Sequence, residues 1–110
     1  MEWIQLTSEE QLHQIVDLSR ERSQVIFKHS TRCSLSSVAW KRVQSGRPND
    51  MDFYILDLIA YRSLSNRVAE VFKVHHESPQ VLVIKDGECI YDESHLGISI
   101  DDILEQTKIA

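Results

Sequence analysis

Cys33 is the residue with the clearest chemical potential in this chain. It follows an apolar strand pattern, Val25 to Phe27, and a polar stretch that carries Lys28, His29 and Arg32. A helical pattern begins directly after it. A thiol at the start of a helix meets unpaired backbone N–H groups and the positive end of the helix dipole. Both favour the thiolate, which is the nucleophilic form. We therefore predict a reactive thiol at position 33.

Ser36 stands three residues after Cys33, where a dithiol oxidoreductase would place a second cysteine. The pattern therefore predicts disulfide exchange with one thiol rather than two. Ser34 and Ser36 suit the first turn of a helix as capping residues, and their hydroxyls could also donate hydrogen bonds to the thiolate. The nearby cations could lower the pKa of the thiol and attract an anionic thiol compound.

Length, composition and charge narrow the class of protein. The chain has 110 residues, enough for one domain spanning 1–110 with its own core. Its net charge of −5 argues against nucleic acid or an anionic membrane as partner. The N-terminus has no basic signal region, and no apolar run reaches the length of a membrane-spanning helix. Two unequally placed cysteines are not a disulfide framework, so we expect a reducing, cytoplasmic compartment.

Hydrophobic periodicity and turn signals predict nine elements. A capping box, Ser8 with Gln11, begins the first helix, and Asp86-Gly87 is a two-residue hairpin turn. Gly46 and Pro48 end the second helix, and Ser99 caps the last. The predicted strands cover 3–6, 24–29, 51–58, 80–85 and 88–92, and the helix following Cys33 runs from Cys33 or Ser34 to about Gln44.

The order of these elements is β-α-β-α-β-α-β-β-α. Strands separated by helices predict parallel pairing with right-handed crossovers, and the hairpin adds an antiparallel edge. The pattern therefore predicts an α/β fold of the thioredoxin-like type, a central mixed sheet flanked by helices. In such domains the proline that begins the fourth strand is cis and lies beside the reactive cysteine. The backbone of the preceding residue then pairs with the substrate as an added strand.

The hairpin turn also predicts a register. With Asp86-Gly87 as the turn, Lys85 pairs with Glu88 and Ile84 with Cys89. Continuing the ladder places Ser94 opposite Pro79, and His95 opposite Ser78. His95 should then return to the end of the sheet that holds Cys33. Cys89 should remain near the turn, roughly 15 Å away at ~3.3 Å per residue, and we expect it to be structural.

Three segments in this order carry a resemblance to a known family. Lys28 to Ser36, His76 to Gln80 and Ser94-His95 resemble the monothiol bacilliredoxins of the bacillithiol system, the YtxJ-like family. The resemblance extends over nearly the whole chain. It implies a cytoplasmic enzyme that removes bacillithiol from mixed disulfides on client proteins, with Cys33 as the redox-active cysteine. It also makes 31–36 the active-site loop and Ser78-Pro79 the substrate-facing turn.

The resemblance implies no tightly bound cofactor, with bacillithiol as a low-molecular-weight thiol co-substrate. The partners would be bacillithiolated client proteins, and bacillithiol or a partner reductase for recycling. A metal site is not expected, because His75 and His76 have no Cys or His partner at a ligand spacing. The substrate-binding candidates are Thr31, Arg32, Ser34, Ser36, Ser78, Pro79 and His95.

Two other classes of function remain open. One is an iron–sulfur carrier of the monothiol glutaredoxin type, although Ser34 stands where such sites have a glycine. The other is a non-catalytic thioredoxin-like adaptor in which Cys33 is incidental. The residues alone also do not distinguish bacillithiol from glutathione or coenzyme A.

Overall fold

The computed structural model describes residues 3–30, 34–43 and 50–109, the side chains of the last helix as far as Gln106. The predicted element order is confirmed, with one addition, a single 3-10 turn at His95–Gly97. The elements are β1 (Ile4–Gln5), α1 (Glu9–Leu18), β2 (Gln24–His29), α2 (Ser34–Val43), β3 (Asp52–Asp57), α3 (Arg62–Phe72), β4 (Gln80–Lys85), β5 (Glu88–Ser94) and α4 (Ile100–Ile109).

Local sequence signals set the helix starts. The Ser8 hydroxyl accepts from the Gln11 amide, and the Gln11 side chain accepts from the Ser8 amide, so the predicted capping box begins α1. The Ser99 hydroxyl accepts from the amide of Asp102 at the start of α4. The stop signals Gly46 and Pro48 and the predicted last helical residue, Gln44, lie outside the described residues.

The five strands form one mixed sheet in the order β1-β3-β2-β4-β5. The pairs β1·β3 and β2·β3 are parallel, as expected for strands joined through helices. The prediction was wrong for β4, which is antiparallel to β2 although α3 precedes it. α3 begins where β3 ends, and its last residue, Phe72, lies beside the hairpin turn at Gly87. The segment 73–79, which begins at Lys73 with a left-handed backbone (φ 56°), therefore runs back along the sheet, and β4 then follows the same direction as α3. Helical spacing alone did not reveal this return segment.

Side-chain alternation along the strands gives the sheet two buried faces. One face packs against α1 and α3 and includes Ile26, Leu56 and Leu82. The other packs against α2 and α4 and includes Phe27 and Val81. Adjacent residues of β2 therefore face opposite helical layers.

Strand directions determine which loops meet. The parallel strands β2 and β3 end at His29 and Asp57 on the same edge of the sheet. The antiparallel strand β4 begins at Gln80 on that edge, and β5 ends there at Ser94. We call this the site edge, because the segment containing Cys33 leaves from its β2 strand.

Candidate functional site

The predicted site residues converge on the site edge, as far as the structure describes them. Thr31, Arg32 and Cys33 lie outside the described residues, between the end of β2 and the start of α2. Ser34 is the first residue of α2 and is exposed. The structure therefore describes the chain on either side of 31–33, which is the end of β2 with Ser30, and the first turn of α2.

Ser36 links the first turn of α2 to the end of β2. It is fully buried in the first turn of α2. Its hydroxyl oxygen accepts from the Ser30 amide over 3.0 Å and lies 2.7 Å from His29 Nδ1. Since the hydroxyl has one hydrogen and already accepts from Ser30, it can donate that hydrogen to His29. Ser36 therefore anchors α2 against β2.

His29 is held in its neutral form by its surroundings. Its ring lies among aromatic side chains, with its centre 5.8 Å from that of Phe27 and 6.0 Å from that of Trp40. Burial lowers the pKa of His29, although Asp57 opposes the shift. A hydrogen bond accepted at Nδ1 also favours the neutral ring. We therefore assign His29 a structural contact with Ser36 rather than a fixed positive charge.

The loop before β4 carries the predicted substrate-facing turn. The Ser78-Pro79 peptide bond is cis, as expected. Pro79 is buried and Ser78 half-buried. The buried Gln80 side chain donates to the carbonyl oxygen of His75 over 2.9 Å and accepts from the Glu77 amide at 3.4 Å. The first side chain of β4 thus holds the loop that precedes it.

His95 reaches this loop, but by a register that differs from the predicted one. The pairing changes between Val83 and Ile84, which are opposite Tyr91 and Cys89, so that Ile90 is an extra residue in β5. Ser94 therefore pairs with Gln80 and not with Pro79 as predicted.

The bulge brings the His95 backbone to Pro79 rather than to Ser78. The His95 amide donates to the Pro79 carbonyl oxygen over 3.0 Å. His95 has a left-handed backbone (φ 57°), and its Nε2 lies 3.5 Å from Glu77 Oε1. The same carboxylate has its other oxygen 4.0 Å from His75 Nε2. The chain after β5 is therefore joined to the substrate-facing turn through both backbone and side chain.

Lys28 and His76 form a contact that sequence analysis did not predict. Lys28 Nζ lies 3.1 Å from His76 Nδ1, although 48 positions separate the two residues. The lysine side chain is fully buried. The sequence did mark Lys28 as unusual, because it is a lysine near the end of a strand whose centre is apolar. It did not identify His76 as the partner, because that contact depends on how β2 and β4 pair.

Cys89 lies beside the hairpin turn, at the far edge from the site. It pairs with Ile84, is partly buried, and its thiol donates to the carbonyl oxygen of Tyr91 over 3.3 Å. Burial raises the pKa of the thiol to about 11. This environment suppresses the thiolate, in agreement with the expected structural role.

Two further features bear on the class of protein. Among the described residues, no group of three or more His, Cys, Asp or Glu side chains is arranged to hold a metal ion. None of the helices in the described ranges is both long and apolar enough to cross a membrane.

Comparison with known proteins identifies the family. Residues 4–103 match the family model of the monothiol bacilliredoxin BrxC. A solved structure described only provisionally as an oxidoreductase with a thioredoxin fold is 31% identical, with a TM-score of 0.77, covering 96% of this chain and 92% of that chain.

More distant structures share the fold. Thioredoxin from Malassezia sympodialis is 15% identical, with a TM-score of 0.75 and coverage of 98% of this chain and 90% of that chain. Thioredoxin f from spinach chloroplast is 13% identical, with a TM-score of 0.73 and coverage of 96% and 90%. The chain therefore has the thioredoxin fold and belongs to the monothiol bacilliredoxin family.

Proposed function

We propose that this protein removes bacillithiol from mixed disulfides on client proteins, using the Cys33 thiolate as its nucleophile. The thiolate attacks the bacillithiol sulfur of a client–S–S–bacillithiol disulfide. A Cys33–bacillithiol disulfide forms, the original disulfide breaks, and the client sulfur leaves as a thiolate. The enzyme then carries one bacillithiol on Cys33.

A second thiol closes the cycle. A bacillithiol thiolate, or the thiol of a partner reductase, attacks the bacillithiol sulfur of the adduct and releases the Cys33 thiolate. With free bacillithiol the product is bacillithiol disulfide: the client sulfur is reduced from the disulfide to the thiol level, and the sulfur of the incoming bacillithiol is oxidised from the thiol to the disulfide level. No tightly bound cofactor is needed in this scheme.

The observation that supports the one-thiol mechanism is the environment of Ser36 and Cys89, the two positions at which a second thiol could be sought. The chain contains two cysteines. Ser36, in the position of a second active-site cysteine, is buried and bonded to His29 and Ser30. Cys89 is partly buried beside the hairpin turn. These facts support a mechanism without an internal resolving thiol.

The remaining candidate residues have distinct proposed roles. The backbone of Ser78, beside Pro79, pairs with the extended client segment around its modified cysteine. Arg32 attracts the carboxylates of bacillithiol, and Thr31 and Ser34 contact the bound disulfide. His95 holds the turn through Glu77.

Membership of the family supports a proposal for the setting of the reaction. We propose a cytoplasmic enzyme that acts as a single domain, with client proteins and bacillithiol as its partners rather than nucleic acid or membrane.

Removal of bacillithiol from a purified modified client tests this function. We expect the wild type and Cys89→Ser to release the client thiol, and Cys33→Ser to release none. Both variants replace one sulfur with oxygen, so Cys89→Ser controls for the substitution itself. Equal activity of Cys33→Ser and wild type would exclude Cys33 as nucleophile. The same client carrying glutathione is tested in parallel, and release of glutathione but not of bacillithiol would assign a different co-substrate.

A further inference from the structure

Lys28 places an amine in the protein interior, and no carboxylate among the described residues pairs with it. Its side chain has no exposed surface, and it lies in β2 between Leu56 of β3 and Gln80 of β4. The ion pairs among the described residues do not include it. Burying an ammonium group without an opposite charge opposes folding.

The amine meets one described partner, the exposed imidazole of His76. An ammonium group has only donors, so at the Nζ–Nδ1 distance of 3.1 Å the imidazole accepts and is neutral. Burial lowers the pKa of Lys28 to about 8, which leaves the amine mostly protonated at pH 7. The pKa of His76 is lowered by burial and by the neighbouring Lys28, Arg62 and His75, and Glu77 opposes this shift. The neutral imidazole, which can accept the hydrogen bond, is therefore favoured.

The position of this contact indicates what the amine does. His76 is two residues before Ser78, in the loop that the Gln80 side chain holds from β4 and that His95 contacts through Glu77. Lys28 adds a contact to the same loop from β2. A methionine would occupy a similar volume without the cost of burying charge, so stability of the fold does not account for the amine.

We propose that Lys28 is a positioning residue, which holds His76 and thereby the loop 75–79 in the conformation that presents the Ser78 backbone to a client. The inference rests on the proposed function and deepens it, because it assigns Lys28 to client binding rather than to the reactivity of Cys33. The residue acts through His76 and need not touch the client.

Hydrogen exchange tests the positioning step without any activity assay. In Lys28→Met we expect the Glu77 amide, which donates to the Gln80 side chain, to exchange about three- to tenfold faster, the factor for loss of one ordinary hydrogen bond, while β2 and β4 stay protected. Lys85→Met is the matched control, since Lys85 lies at the far end of β4, and it should leave the exchange of the Glu77 amide unchanged. Wild-type exchange rates in Lys28→Met would overturn the proposal.

A pair of His76 variants gives a second test that leaves the core intact. His76→Asn keeps an acceptor oxygen near the position of Nδ1, whereas His76→Leu has none. We expect near-normal exchange of the Glu77 amide in His76→Asn and faster exchange of the same amide in His76→Leu. Equal exchange in the two variants would contradict an acceptor role for His76.

Kinetics then connect the loop to client binding. For a bacillithiolated client, we expect Lys28→Met to raise KM about three- to tenfold with kcat unchanged. Alkylation of Cys33 by a small reagent should keep its wild-type rate. An unchanged KM with altered loop exchange would refute the assignment to client binding. An inactive wild type would instead refute the proposed function, while the exchange experiment would still test the loop.

Discussion

The amide of His95 donates to the carbonyl oxygen of Pro79 over 3.0 Å, which joins the end of β5 to the loop that begins β4. The bond depends on the extra residue Ile90, since without the bulge His95 would lie opposite Ser78. The left-handed backbone of His95 then turns the chain into the His95–Gly97 turn. An irregularity near the hairpin turn thus determines which residue reaches the substrate-facing loop.

The left-handed backbone of His95 predicts that glycine is more stable than alanine at this position, which is the reverse of the order expected at Ser94. Left-handed geometry costs a residue with a Cβ atom about 1–2 kcal/mol, so His95→Gly should be more stable than His95→Ala by about 1 kcal/mol. Both variants lose the imidazole, which isolates the backbone effect. Ser94, with an extended backbone (φ −138°), is the control, and there alanine should be at least as stable as glycine. Denaturant unfolding measures both pairs, and an alanine advantage at position 95 would contradict the assigned geometry.

Two buried serines should respond in opposite ways to alanine. Ser36→Ala leaves the Ser30 amide and His29 Nδ1 without their partner, and we expect it to lower the free energy of unfolding by about 1–3 kcal/mol. Ser65 is also buried in a helix, but its hydroxyl has no partner among the described residues. Ser65→Ala should therefore be neutral or stabilising. Equal losses in the two variants would argue against the anchoring role of Ser36.

The buried amine of Lys28 predicts a pH-dependent difference between wild type and Lys28→Met. Between pH 8 and the ordinary lysine pKa of 10.5, the unfolded chain keeps a proton that the native state has released. The free energy of unfolding of the wild type therefore rises with pH through this window. At pH 7 Lys28→Met should be at least as stable as wild type, and its advantage should shrink by up to about 3 kcal/mol as pH rises to 10.5. A difference independent of pH would show that the amine is not desolvated in the native state.

The two cysteines should differ in their reaction with an alkylating reagent. With a pKa of about 11, about one Cys89 thiol in a thousand is ionised at pH 8. Cys33 precedes α2 directly, and we expect its alkylation midpoint below the ordinary thiol value of about 8.5. Peptide mapping after brief alkylation at several pH values measures both sites. Faster labelling of Cys89 than of Cys33 at neutral pH would exclude Cys33 as the reactive thiol.

Local signals in the sequence predicted much of the fold. The capping box at Ser8 and the Asp86-Gly87 turn act within a few residues, so their outcome does not depend on distant packing. Pro79 at the start of β4 likewise marked the loop beside the site edge. Together with hydrophobic periodicity, these signals predicted the element order. The substrate-facing role of Ser78-Pro79 stays a prediction.

The remaining features depend on contacts between distant segments. The direction of β4 and the bulge at Ile90 follow from how the strands pack, and neither residue type nor spacing predicted them. The contact between Lys28 and His76 needs β2 and β4 to be neighbours first. The contacts of Ser36 with His29 and Ser30 likewise depend on how α2 packs against the end of β2.

Mass spectrometry of the oxidised protein tests the one-thiol mechanism most directly. A disulfide needs Cα atoms within about 7 Å. Cys89 lies five positions before Ser94 on β5, a separation of roughly 15 Å from the site edge at ~3.3 Å per residue. After treatment with oxidised bacillithiol, we predict one stable bacillithiol adduct, on Cys33, in wild type and in Cys89→Ser alike. An intramolecular Cys33–Cys89 disulfide in the monomeric native protein would contradict the mechanism.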